Sequence, residues 1–137
     1  MPSAPGRRRV ASVTFFVPGI PKSAQTGSVV RAGKRLIPIR RGTAWSSLVG
    51  LVARQYAPPE PLDGPLRVWL GFRFNRPKSS RRAYPTVRPD ADNLIKGLMD
   101  SLNGVLWVDD AQIVELRVTK DYFPTQQGLR ITVETLA

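Results

Sequence analysis

The hydrophobic and polar positions change period several times along this chain, and each change marks an expected element. Val10 to Val17 is β-branched and aromatic and stops at Pro18-Gly19-Ile20-Pro21, so it predicts a first strand. Lys22 to Arg41 mixes cations with Gly, Ser and short apolar pieces, which predicts a weak hairpin around Ala32-Gly33. From Thr43 to Ala57 the spacing turns helical, with Ala44, Trp45, Leu48, Leu51, Val52 and Tyr56 recurring until Pro58-Pro59 ends the run. Trp45 belongs to that stripe and reads as core rather than as a stacking platform. Leu66 to Phe74 alternates strictly, Leu66, Val68, Leu70, Phe72 and Phe74 against Arg67, Trp69, Gly71 and Arg73, the pattern of a strand with one buried face. Leu94, Ile95, Leu98, Met99 and Leu102 then line one side of a helix expected from about Ala91 to Asn103 and stopped by Gly104. Val105 to Val108 reads as a short buried strand, Val114 to Val118 as an alternating strand ending near Lys120, and Leu129 to Thr135 as the last strand.

No internal repeat interrupts this order, and the 137 residues are expected to form one domain preceded by a frayed basic tail over residues 1–9. No apolar run approaches a membrane span, and the segment Met1 to Arg9 lacks the apolar centre of a signal peptide, so a cytoplasmic location is expected. Cysteine and histidine are absent. Disulfides, thiolate or imidazole metal sites and any histidine-based triad are thereby excluded. Chemistry is left to carboxylates, lysine, hydroxyls and hard cations.

Charge changes the picture further. The net charge is +11, but residues 1–88 hold 17 cations against two acids, a balance of +15, whereas residues 89–137 hold four cations against eight acids, a balance of −4. A basic body of that size predicts a polyanionic partner. Arg7, Arg8 and Arg9 in the tail and the hairpin stretch are expected to order against DNA. The run Asn75 to Arg88 carries Arg76, Lys78, Arg81, Arg82 and Arg88 without periodicity, and reads as a phosphate-gripping loop leading into the acidic stretch.

The acids themselves gather between Pro89 and Gln112: Asp90, Asp92, Asp100, Asp109 and Asp110. Taken singly, Asp90 and Asp92 are ordinary helix-start residues, and Asp109-Asp110 is an ordinary turn. Both pairs, Lys96 one turn after Asp92 and a basic body together point instead to a metal-dependent nuclease, in which a helix start and a strand end bring their carboxylates to one point. Magnesium takes oxygen ligands, and clustered carboxylates raise one another's pKa unless a cation neutralises them. Lys96 is expected to pair with Asp92 at rest. A calcium loop is excluded because Leu94 and Ile95 occupy positions that need a ligand and then glycine, and no glycine-rich phosphate loop appears.

The segments Pro89-Asp90-Ala91-Asp92-Asn93-Leu94-Ile95-Lys96, Asp100-Ser101-Leu102-Asn103-Gly104 and Trp107-Val108-Asp109-Asp110-Ala111-Gln112 resemble the signature of the RusA family of Holliday junction resolvases. The resemblance implies an α/β fold, a small mixed β-sheet packed against two helices, in a homodimer. It implies magnesium-dependent nicking of four-way junction DNA, with manganese as a substitute ion and no small-molecule cofactor. Asp90, Asp92 and Asp110 match the family's catalytic carboxylates and Lys96 its functional lysine; Asp109 joins Asp90, Asp92 and Asp110 as a metal ligand. Two other readings stay open: a flap or duplex nuclease with the same metal site, and a non-catalytic DNA-binding protein.

Overall fold

The computed structural model describes residues 11–23, 25–32, 34–41 and 44–136, the strands at 25–32 and 35–41 by their backbone alone. The basic tail with Arg7, Arg8 and Arg9, and Gly33 at the expected hairpin turn, lie outside the described residues. The elements run β1 (Ser12–Pro18), β2 (Gln25–Ala32), β3 (Arg35–Arg41), α1 (Ala44–Tyr56), β4 (Leu66–Phe74), α2 (Ala91–Ile95), α3 (Leu98–Leu102), β5 (Ile113–Tyr122) and β6 (Gly128–Thr135). A 3-10 turn over Asp110–Gln112 leads into β5.

Four strands form one mixed sheet in the order β1-β6-β4-β5. β6 is antiparallel to both β1 and β4, and β5 is parallel to β4. Parallel neighbours need a long crossover, and here that crossover is residues 75–112, the whole acidic stretch with its basic leader. β2 and β3 pair with each other as a separate antiparallel hairpin, with Ala32 opposite Arg35.

Strand alternation decides the layers. Leu66, Val68, Leu70 and Phe72 are fully buried beside Leu129, Ile131 and Val133, and Val17 and Phe15 extend that face across β1. The helices cover it. On the opposite face Arg67 bridges Glu115 at 2.6 Å and Glu134 at 3.3 Å, and the Arg117 guanidinium lies 5.1 Å from the Trp69 ring centre.

Four expectations are corrected. The helix expected over Ala91–Asn103 is two short helices, because Gly97 takes φ +77 and Lys96 has left helical geometry. Leu94, Leu98 and Leu102 nevertheless all reach the core, so the stripe survives the break. The strand expected over Val105–Val108 is a turn: Gly104 N donates to Trp107 O at 2.6 Å and Leu62 N to Leu106 O at 2.8 Å, burying Leu106 and Trp107 but leaving Val108 exposed. On α1 the buried face is Trp45, Val49 and Ala53, while Leu51 and Tyr56 face out; Tyr56 stacks on Phe15 at 5.2 Å. Small residues on that side admit α3 closely, since a Cβ on Gly50 would stand 3.4 Å from Ser101 O. Finally, β5 is an edge strand, so its expected buried side is half open: Val114 is 65 % and Leu116 42 % exposed.

Candidate functional site

The crossover leaves the carboxyl end of β4 as a loop, residues 75–89, held by its own backbone. Ser80 N donates to Pro77 O at 2.9 Å and Thr86 N to Tyr84 O at 2.8 Å, and Arg82 N reaches Ser80 Oγ at 3.3 Å. A long tie to the sheet comes from β5, where Lys120 Nζ donates to Val87 O at 2.8 Å. Arg76, Lys78, Arg81, Arg82 and Arg88 are all exposed on this loop. Among the described residues the ion pairs are those of Arg67 alone, so these five cations carry no carboxylate partner. Arg76 lies 5.3 Å from the Tyr122 ring centre.

Asp90 follows the loop as the residue before α2. Its carbonyl accepts from Leu94 N at 3.0 Å, as helix entry requires, but its carboxylate makes no capping bond and stays exposed. Asp92 is exposed in the first turn of α2. Lys96 does not pair with Asp92 as expected. The turn between the two is formed, with Lys96 N donating to Asp92 O at 3.3 Å, but Lys96 Nζ donates to Asn93 Oδ1 at 3.2 Å. Asp100 is exposed in the first turn of α3.

Asp109 and Asp110 sit on the 3-10 turn, and Gln112 fixes them there. Gln112 Oε1 accepts from Val108 N and Asp109 N, both at 2.9 Å, while its Nε2 donates to Leu62 O at 3.0 Å and Gly64 O at 2.9 Å. Asp109 Oδ1 accepts from Ala111 N at 3.3 Å, which closes a capping box with Gln112. Asn103 Oδ1 accepts from Trp107 Nε1 at 2.6 Å and steadies the preceding turn. Sequence reasoning assigned neither amide a task, nor Lys120. The spacing Asp109-x-x-Gln112 is a capping-box signal that was present to be read; Asn103 and Lys120 carried none.

Asp110 titrates above the ordinary carboxylate range. The cause is first a hydrogen bond shared with the Asp109 side chain, then partial burial, then the negative charges of Asp109 and Asp100. Asp90 and Asp92 are not among the charges that act on it. Asp109 and Asp100 thus stand beside Asp110, while Asp90 and Asp92 belong to the start of α2.

Those groups fit a hard cation in donor type: oxygen-only, solvent-accessible, and in the case of Asp109 and Asp110 mutually repelling, which a cation would relieve. They do not form a complete cage. Among the described residues no three acidic side chains stand close enough to hold one ion together. A magnesium ion, which keeps most of its waters and takes one or two carboxylates, is the cation such pairs suit.

Comparison with known proteins gives two matches. An uncharacterized protein, YqaN of Bacillus subtilis (strain 168), is 29 % identical over 124 residues, covering 80 % of this chain and 87 % of that protein. The family model of the endodeoxyribonuclease RusA matches residues 18–134, from the end of β1 to the end of β6, and so takes in the bent helix, the 3-10 turn and both groups of aspartates. The chain belongs to the RusA family of endodeoxyribonucleases.

Proposed function

We propose that this protein resolves Holliday junctions by magnesium-dependent nicking of DNA strands, in recombination and repair, with manganese able to substitute. The observation that carries the reading is the crossover: five cations without carboxylate partners lead directly into solvent-accessible aspartates, one of them pushed above its ordinary range by its neighbours. A binding protein would gain nothing from acids placed where they repel phosphates.

In this reading Arg76, Lys78, Arg81, Arg82 and Arg88 hold the backbone of the arms and set their register. Asp90, Asp92, Asp109 and Asp110 would offer a magnesium ion their carboxylate oxygens, and the chemistry it would supply is a hydroxide at neutral pH and relief of charge on the phosphate and leaving oxygen. Lys96, exposed beside Asn93, reaches outward to steady the scissile phosphate. Gln112 holds the Asp109-Asp110 turn rigid, so that neither carboxylate has to be ordered when substrate arrives.

A junction has approximate two-fold symmetry and must be cut in two strands of like polarity, which a C2 homodimer with two equivalent sites satisfies. The exposed apolar side chains Val114 and Leu116 on the edge strand β5 support such a pairing. The test is cleavage of labelled four-way, flap and linear duplex DNA with and without Mg²⁺. Selective nicking of the junction is expected; equal cutting of all three would make this a general duplex nuclease, and binding without nicking would make it a binding protein.

A further inference from the structure

β4 and β5 are parallel, so their carboxyl ends lie side by side, with Phe74 opposite Tyr122. Open α/β sheets bind ligands in the crevice beyond such ends. Here the crevice is bordered by the basic loop and forms a half-open cavity of about 150 Å³. Phe74, Pro77, Pro85 and Pro89 give it flat apolar walls, and Lys120 and Tyr122 line it from β5. Arg88 and Pro89 also line it, which places the cavity one residue from Asp90.

Two of the polar residues that line this cavity have hydrogen-bonding capacity to spare. The Tyr122 hydroxyl is buried and has no hydrogen-bond partner among the described residues. Lys120 uses one of its three N–H groups on Val87 O at 2.8 Å, leaving two. A buried hydroxyl without a partner is costly, and a site that carries one is suited to a ligand that completes it. The size is selective: drug-sized pockets begin at roughly 300 Å³, so this one takes a single planar ring and not a whole nucleotide. Val87, 43 % exposed, also lines the cavity, and Tyr84 on the same loop is 64 % exposed.

We propose that this cavity receives one unpaired nucleobase next to the scissile phosphate, and that Lys120 and Tyr122 read its acceptor edge and so set the sequence preference of cutting. The proline and phenylalanine walls hold the ring face on, as sites for unstacked bases do. Lys120 can only donate and the Tyr122 hydroxyl donates beside it, so the favoured base is one that presents adjacent acceptors. The phosphate stays outside, where the loop cations lie. This inference rests on the nuclease reading above.

The test uses the full chain and its Tyr122→Phe and Lys120→Met variants. Cut positions are mapped on four-way junctions randomised around the exchange point, in Mg²⁺. The wild-type protein should favour one base at a fixed offset from the cut, and each variant should lose roughly tenfold of that discrimination, the worth of one good pairing with a base edge. If the variants slow all junctions alike and leave the ranking of sequences unchanged, Lys120 and Tyr122 are structural and the proposal is overturned. A second readout needs no cleavage: junctions carrying the fluorescent base aminopurine at each flanking position are titrated with wild-type protein without metal. Fluorescence should rise at one position and rise less with either variant. No rise at any position overturns the pocket even if cutting is normal. A rise without any Mg²⁺-dependent cutting overturns the nuclease reading and leaves the base pocket standing.

Discussion

Asp109 and Asp110 are adjacent in the chain, the first exposed and the second half-buried, and the fold gives them different work. Asp109 spends one oxygen on Ala111 N and caps the 3-10 turn, whereas Asp110 shares a hydrogen bond with it and bears the electrostatic consequence. Because the Asp110 carboxyl is raised in the folded protein, the unfolded chain gives up this proton first as pH rises. The metal-free protein should therefore lose stability as pH climbs from the ordinary carboxylate value through the raised one, and should not regain it above that. Asp110→Asn should flatten this part of the pH profile, and at neutral pH without metal it should melt no lower than the wild type. Thermal melts of both proteins from acid to neutral pH check it; an identical slope in the two would remove Asp110 as the source. Gln112 is the complementary case. Replacing it by Glu turns the Nε2 donor into an oxygen facing Leu62 O and Gly64 O, and should cost roughly 1 to 3 kcal/mol, the penalty for leaving buried acceptors unsatisfied. Urea denaturation reads that loss directly.

At the scale of elements, the acidic crossover is built from a helix that the sequence does not allow to continue. Gly97 at φ +77 sits between two short helices, and turning the chain there keeps Leu94, Leu98 and Leu102 buried. Gly97→Ala, which would stabilise an unbroken helix, should instead destabilise by roughly 1 to 2 kcal/mol, because a left-handed residue with a Cβ is strained. A gain in urea midpoint would mean the helix is continuous in solution. The apolar stripe was legible because burial depends on side-chain spacing, and the strands β4 and β6 were legible because alternation survives burial on one face. The break was not, since one glycine inside a periodic run costs only about 1 kcal/mol and tertiary packing overrides it. Val105 to Val108 misread as a strand for a related reason: a short apolar run buried by a turn has the same composition as one buried in a sheet. Five candidate acids and five loop cations were found from charge alone, but that Asp100 comes beside Asp109 and Asp110 depends on how α3 meets the 3-10 turn, and no local pattern carries that.

For the whole molecule, the asymmetry of charge along the chain becomes an asymmetry around one crossover, with cations on its leading loop and acids behind them. If the loop cations hold phosphates, binding to junction DNA should weaken steeply with salt. Replacing Arg81 and Arg82 by Ala should flatten the log–log slope by roughly 0.9 for each phosphate no longer neutralised, with affinity for all DNA shapes falling alike. An unchanged slope would mean that the loop is only solvated. Among the described residues no helix is long and apolar enough to cross a membrane, and β5 stands at an edge of the sheet. Sedimentation at micromolar concentration, free and with junction, should show a dimer; a monomer in both would remove the two-fold account of paired nicking. The central claim is that these aspartates perform metal-dependent hydrolysis, and single-turnover cleavage of a four-way junction in Mg²⁺ tests it most directly when run on wild type, Asp92→Asn and Asp110→Asn beside their junction affinities. Both substitutions keep shape and remove one charge, so cleavage should fall by orders of magnitude while binding stays equal or tightens; near-normal cleavage by both proteins would contradict the account.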